Sequence, residues 1–416
     1  MITLNEQTKK ILFAAFFVVF SIGTGYALYY FFFRPTPAAI GPEATQEQYG
    51  GELGAAGQRG QVTPTVHGGE VTLPSAGEAA GATGAAGAAG AVSTDVTLVR
   101  DAVTQATSIG PDGSTRFYDP ATGKFYRINP DGSITEMSAR QFYNVEQISW
   151  GNTQNEAILQ FPDGSNIYYD FDNQRQTTLP QHWEDFHFAP NSSDVVAKSM
   201  GLDQDNKFLI TAKADGTEQT ALYHMGDNAD LVIPSWSPNN QVVGFSQTGD
   251  PQPDNGQAVV LLGKNHEEFK SLKVPGRGFQ PNWSPNGKQL LYSAYHNRDQ
   301  MKPMLWVSDA SGDDINNNRR RLNLNTWADK CVWQDEKTLV CGVPQYLPMA
   351  AGLDESSADA IPHDIYLVDL TSGISKKISS DDQTHPLRKP ILSPDGAKLT
   401  FTDAITGKLY SYTLHR

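Results

Sequence analysis

Near-copies of one short string, Trp283-Ser284-Pro285-Asn286-Gly287-Lys288-Gln289-Leu290-Leu291-Tyr292, recur through the last two thirds of the chain, and no other feature limits the fold as tightly. The string reads as a strand ending in an aromatic, a tight turn, and a second strand. Pro285 presets one turn dihedral, and Asn286-Gly287 accept the bend that follows. Aligning on the aromatic position gives Trp150, Phe188, Trp236, Trp283, Trp333 and Leu392. Ser-Pro follows directly at Ser237-Pro238, Ser284-Pro285 and Ser393-Pro394, with Ala189-Pro190 a near match. Each turn leads into an apolar run at the same offset, such as Val242-Val243-Gly244, Leu290-Leu291-Tyr292 and Leu399-Thr400-Phe401. The anchors lie about 40 to 60 residues apart, the period of a four-stranded propeller blade rather than of a two-helix repeat.

Further strands fit the same unit. Met304-Leu305-Trp306-Val307-Ser308 and Asp364 to Asp369 are β-rich, and the turn Thr371-Ser372-Gly373 leads to an outer strand at Ser375 to Ile378. One blade cannot bury both its faces, whereas a ring of blades stacks face on face and leaves short edges. The fold class expected is therefore all-β, a closed β-propeller. The last blade runs only to Lys408–Leu414 and lacks an outer strand, while hairpin-like sequence stands at Thr115–Asp119 and Lys124–Ile128. If that hairpin supplies the missing strand there are six blades, the expectation adopted here; if it founds its own blade there are seven.

The repeats at Trp236-Ser237-Pro238-Asn239, Trp283 to Gly287 and Leu392-Ser393-Pro394-Asp395-Gly396 resemble the WD40-like propeller repeats of the TolB type, over residues 110–416. Trp333-Gln334-Asp335-Glu336 has lost the Ser-Pro, and no α/β domain precedes the repeats, which sets the chain apart from TolB itself. The resemblance implies architecture; propellers of this type serve as binding proteins, peptidase gates and lyases.

Residues Ile11 to Phe33 form an uncharged apolar run, long enough as a helix to span a bilayer's hydrocarbon core. Lys9 and Lys10 precede it and Arg34 follows, which orients residues 1–10 as a cytoplasmic stub. A cleaved signal peptide near Ala38-Ala39 is the competing reading, although its apolar region is normally shorter. From 34 to 109 the chain loses hydrophobic periodicity, with a Gly/Ala-rich centre at Ala79 to Gly90, and reads as a flexible linker. A short helix is expected within Asp95 to Ala106. These features place the propeller outside the cytoplasmic membrane, anchored through 11–33. A net charge of -14 argues against nucleic acid, the one compact basic run, Arg319-Arg320-Arg321, reading as a loop entering an outer strand.

Chemistry is sparse. Cys331 and Cys341 flank the Trp333 anchor and face each other across a hairpin, as a disulfide or as two buried thiols. His182, Glu184, Asp185 and His187 form the densest group of metal-ligand residue types, but strand alternation splits them, with His182, Glu184 and Phe186 on one face and Asp185 and His187 on the other. His182 and His187 are thus weak metal candidates, and no cofactor is expected. Asp170 to Asn173 and Asp203 to Asn206 lack the calcium-loop pattern, and no nucleophile elbow is present. No catalytic residue is assigned.

Function is expected where the insertions fall. Three blades carry long connections between their second and third strands, Gln247 to Gln257, Ala294 to Lys302 and Pro344 to His363, which emerge on one face of a propeller. Tyr295, His296, Arg298, Tyr346, Leu347 and Met349 are candidates for a binding patch there, with Arg277, His385 and Arg388 at its rim. The function expected is a protein-interaction scaffold at the cell envelope. A metal-dependent polysaccharide lyase or hydrolase, or a glycan or small-ligand sensor, are the alternatives.

Overall fold

The computed structural model describes residues 96–380 and 384–414. The expected membrane segment 11–33 and the linker to residue 95 lie outside them; among the described residues, no helix is long and apolar enough to cross a membrane.

Seven antiparallel sheets form the blades, each with its first strand innermost. Strand β1 (Val96–Arg100) comes first and is used last. Blade 1 is β2 (Gln105–Ile109), β3 (Thr115–Asp119), β4 (Lys124–Ile128) and β5 (Ile134–Glu136). Blade 2 is β6 (Gln147–Trp150), β7 (Glu156–Gln160), β8 (Asn166–Asp170) and β9 (Arg175–Leu179). Blade 3 is β10 (Trp183–Phe188), β11 (Asp194–Met200), β12 (Lys207–Lys213) and β13 (Thr220–His224). Blade 4 is β14 (Val232–Pro234), β15 (Val242–Ser246), β17 (Gly256–Gly263) and β18 (Leu272–Val274), with the short β16 (Pro251–Gln252) paired to β17. Blade 5 is β19 (Arg277–Trp283), β20 (Gln289–Tyr295), β21 (Pro303–Asp309) and β22 (Arg320–Arg321). Blade 6 is β23 (Cys331–Asp335), β24 (Thr338–Pro344), β25 (His363–Asp369) and β26 (Ile374–Lys377). Blade 7 is β27 (Leu387–Leu392), β28 (Lys398–Asp403) and β29 (Leu409–Thr413), and its outer strand is β1, antiparallel to β29 with Val96 opposite Tyr412.

This corrects the expected six blades to seven, and the expected helix within Asp95 to Ala106 to strands. The hairpin β3–β4 founds its own blade because β2 pairs with β3 through a turn, Gly110-Pro111-Asp112-Gly113-Ser114, built like the repeat turns. Asp112 Oδ1 accepts from Ser114 N–H at 3.0 Å and from its hydroxyl at 2.6 Å. The anchor ahead of this turn is Ile109, not an aromatic. The outer strand missing from blade 7 is supplied from further upstream, so β-structure begins at Val96, inside the range read as linker.

The anchor aromatics stitch blades together. Trp150 Nε1 donates to Ala106 O of blade 1 at 2.5 Å, Trp283 Nε1 to Ser235 Oγ of blade 4 at 3.1 Å, and Trp333 Nε1 to Asn282 O of blade 5 at 3.4 Å. Six apolar clusters each join two consecutive blades, from Tyr118, Phe125 and Leu159 between blades 1 and 2 to Val340, Leu387 and Phe401 between blades 6 and 7. No such cluster spans blades 7 and 1 among the described residues. That seam carries polar contacts instead: Arg100 to Asp119 at 2.5 Å, Thr104 N–H to Gly407 O at 2.8 Å, and Thr107 to Thr402 at 3.4 Å.

Cys331 and Cys341 stand directly opposite on β23 and β24, with Cα atoms 4.1 Å apart and sulfurs joined.

Candidate functional site

The connections within blades divide between two faces. First-to-second and third-to-fourth turns, including the Ser-Pro turns, lie on the turn face; second-to-third connections and the links between blades lie on the insertion face. Both β1 at Val96 and β29 at Thr413 end on the turn face.

Three insertions meet on the opposite face. Asp254, in blade 4's insertion, pairs through its carboxylate with Arg298, and its carbonyl accepts from His296 Nε2. His296 Nδ1 accepts from Arg298 N–H at 3.0 Å, so both ring nitrogens are engaged. Ala350 N–H then donates to Gln300 O at 2.9 Å, and Gly352 N–H to Met301 O at 2.8 Å, which joins the blade 6 insertion to that of blade 5. Tyr295 lies under this junction, its ring against Gly278 and Gly352. Three loops that look independent in sequence form one hydrogen-bonded ridge.

The blade 6 insertion, 345–362, continues across the inner strands of three blades. Glu355 accepts from Gln280 Nε2 at 3.0 Å and from Lys330 Nζ at 2.5 Å, and Arg388 Nη2 donates to Asp359 at 2.6 Å. Lys330 is 5% exposed and also pairs with Asp329 at 2.9 Å. Burial works against the Lys330 charge, but the two carboxylates outweigh it and hold its pKa above the usual lysine value. For Glu355, partly buried beside it, the Lys330 charge and hydrogen bonds overcome the effect of burial and hold the carboxyl low. Beneath the insertion, His363 is buried, and its Nδ1 accepts from Leu387 N–H at 3.2 Å.

Beside exposed polar groups such as Arg298 and Asp254, the ridge exposes three large apolar side chains. Tyr346 is 66%, Met349 75% and Leu353 59% exposed. Leu347 turns inward instead, onto Trp327, Ala351, Ala358 and Ile361, so the insertion carries a small core under its exposed side chains. Among the rim residues, Arg277 is exposed at the start of β19, and Arg388 is engaged by Asp359. His385 Nδ1 lies 2.9 Å from Asp403, and its ring packs at a tilt of 35° against that of Tyr410, with centroids 3.9 Å apart. Burial acts to raise the Asp403 carboxyl, but hydrogen bonds from Thr406 and His385 leave it lowered. Of the expected patch, the structure presents Tyr346 and Met349 outward and uses Tyr295, His296, Arg298 and Leu347 to hold the ridge. Asp254 and Leu353 were missed; an apolar residue directly after the small Ala350-Ala351-Gly352 stretch was the available signal for Leu353.

His182 lies just before β10, and the rest of the histidine group, on β10, does not follow simple alternation. A bulge with Asp185 at φ 54° leaves Glu184, Asp185 and His187 all exposed between buried Trp183, Phe186 and Phe188. His187 Nδ1 lies 3.2 Å from Trp236 N–H, another tie between blades. Among the described residues, no group of three or more His, Cys, Asp or Glu side chains converges as a metal site.

No protein-family model and no curated protein matches this sequence. Among solved structures, it is similar to the β-propeller domain of Cps50 (Swd1) from Myceliophteria thermophila, at 10% identity and a TM-score of 0.51, over 77% of this chain and 100% of that one. It is also similar to an oligogalacturonate lyase in complex with manganese, at 12% identity and a TM-score of 0.49, over 77% and 91% of the two chains. The tricorn protease matches at 10% identity and a TM-score of 0.48 over 77% of this chain, which spans 34% of that one. The fold is a β-propeller. At these identities the likeness speaks to architecture alone, and the propeller's function has to be read from its own surface.

Proposed function

We propose that this chain is a membrane-anchored, extracytoplasmic propeller of the TolB-like, WD40-like type that holds a protein partner on its insertion face. The observation that carries the reading is the braced ridge with Tyr346, Met349 and Leu353 exposed at its crest. A surface that spends ion pairs and a private core on presenting large apolar side chains is suited to a protein interface, where aromatic and Met anchors supply most of the energy. The apolar run 11–33 supplies the anchor in this reading, with the N-terminus cytoplasmic and the propeller outside. Val96, the first described residue, lies on the turn face, opposite the ridge.

The test is photo-crosslinking in membranes from Tyr346 and from Met349, with Lys337 on the turn face as control. The expected result is one common protein captured from the first two positions and not the third. Y346E and M349E reduce that capture more than about ten-fold, as for anchors at the centre of an interface, while each alters stability by less than about 0.5 kcal/mol because the side chains are exposed. Capture equal from all three positions, or unaffected by the charged substitutions, overturns the reading.

A further inference from the structure

Inner strands of four blades carry the same irregularity near the insertion face. Each shifts register at a bulge, and one residue of each bulge adopts positive φ: Ala106 at 50° on β2, Asp185 at 54° on β10, Gly278 at 69° on β19 and Lys389 at 46° on β27. Glycine adopts this conformation without cost, whereas a side chain is strained there. Gly278 shows that the position accepts glycine in this fold. Asp185 has a visible reason for its side chain, an ion pair to Lys198 at 2.9 Å. Lys389 has none: it is exposed, and its ammonium has no hydrogen-bond or ion-pair partner among the described residues. Strain that no internal contact explains points to function.

Lys389 lines a cavity of about 520 Å³ bounded by the inner strands of blades 7, 1 and 2, beside the seam without an apolar core. Arg388 lines it as well, with one nitrogen committed to Asp359. Gln105, Thr107 and Gln147 supply neutral polar groups, and Glu146 stands in the same wall. Asp403, the other carboxylate there, already accepts from Thr406 and meets His385. In a chain of net charge -14, this places two cations and two amides, beside two carboxylates, at one polar cavity.

We propose that this cavity is a binding site for a carboxylate, with Lys389 as its principal charge partner and Arg388 as its second. One free ammonium and one shared guanidinium, beside Glu146, match a single negative charge better than a phosphate dianion. The carboxylate comes either from a free small acid or from the terminus of a peptide chain, and the test separates the two. This site is distinct from the Tyr346 crest and goes beyond the scaffold reading.

The experiment is thermal melting of the full-length protein, in a carboxylate-free buffer at constant ionic strength so that screening is held fixed. The probes are sodium lactate, N-acetyl-Ala-Ala-Ala as free acid and as amide, and inorganic phosphate. A carboxylate that binds the folded state raises the Tm with concentration. The expected result is such a rise with lactate or the peptide acid, absent with the amide and weaker with phosphate. Lactate acting alone identifies a free acid; the peptide acid acting where lactate does not identifies a chain terminus. Lys389→Met weakens the apparent affinity by about ten-fold or more, the usual consequence of losing a charge-assisted hydrogen bond. Lys389→Gly loses the response equally, yet without ligand melts no lower than wild type because glycine relieves the strain. Y346E leaves the response intact, which keeps this outcome separate from that of partner capture. No rise with either carboxylate, an equal rise in Lys389→Met, a phosphate effect as large as lactate's, or a Lys389→Gly protein that melts well below wild type would each overturn the proposal.

Discussion

A chain that starts at residue 102 is expected to melt about 10 °C below one that starts at residue 96, and to aggregate on heating. Strand β1 accounts for this. It pairs with β29 at Val96, Thr97, Leu98 and Arg100, and its loss bares that edge for association with other chains. The Arg100 guanidinium also crosses to blade 1, where it meets Asp119 at 2.5 Å and lies 5.0 Å from the Phe117 ring and 5.1 Å from that of Tyr126. Asp119 is 2% exposed, so removing its cation leaves a buried carboxylate with only backbone donors, at a cost of about 3 kcal/mol. The lost cross-strand pairs add about 2 kcal/mol, and about 5 kcal/mol in total moves the midpoint of a domain this large by about 10 °C. Arg100→Met in the longer chain separates the two parts: it should lose the larger share of stability while remaining monomeric. Coincident melting of the two truncations would refute the closing role of β1.

The second large effect is a fall in stability on acidification that traces to His363. Burial is the main cause that lowers this ring's pKa, from 6.5 to about 4, with the Lys330 charge adding to it. Protonation would also put a proton on Nδ1, where it faces the N–H of Leu387. The unfolded chain takes up the proton near pH 6.5 and the folded chain near pH 4, so between these values the unfolded state binds more protons. Stability is therefore fully present above about pH 6.5 and declines as pH falls through the folded value, by about 3 kcal/mol in all. Other carboxylates titrate in the same range, so the informative quantity is the difference from His363→Asn, whose amide oxygen keeps the acceptor for Leu387 but does not titrate. Denaturant midpoints measured from pH 7 to pH 4 should fall less steeply in the variant. Parallel profiles would mean that the histidine is already relieved of its burial in solution.

Architecture was legible where a local turn states it. The Ser-Pro turns bend on their own chemistry, and the aromatic before them lies at a fixed offset, so blades 4, 5 and 7 declare themselves. Blade 1 was hidden because Ile109 and Gly110 replace the aromatic and the serine, although Pro111-Asp112-Gly113 keeps the bend. The six-blade count followed from that omission. Strand β1 was illegible for a different reason: nothing near Val96 specifies a partner, and the ladder that makes it a strand is formed with the far end of the chain. The candidate site shows the same division. That long insertions share a face follows from strand order, whereas the engagement of His296 and Arg298 depends on Asp254 in another blade. Lys389 carries no sequence signal at all, since lysine is not a residue that announces positive φ, and only the backbone reveals it.

The pairing of β1 with β29 also sets a clock. Thr97 Oγ1 donates to Ser411 O across 314 residues of sequence, and at ribosomal rates of about 5 to 20 residues per second that separation takes roughly 15 to 60 s to synthesise. Throughout that interval the first strand made has no partner, while blades 1 to 6 are able to form behind it. The ring is sealed by its oldest strand meeting its newest, so any nascent chain halted before residue 409 is an open arc with two unpaired ends.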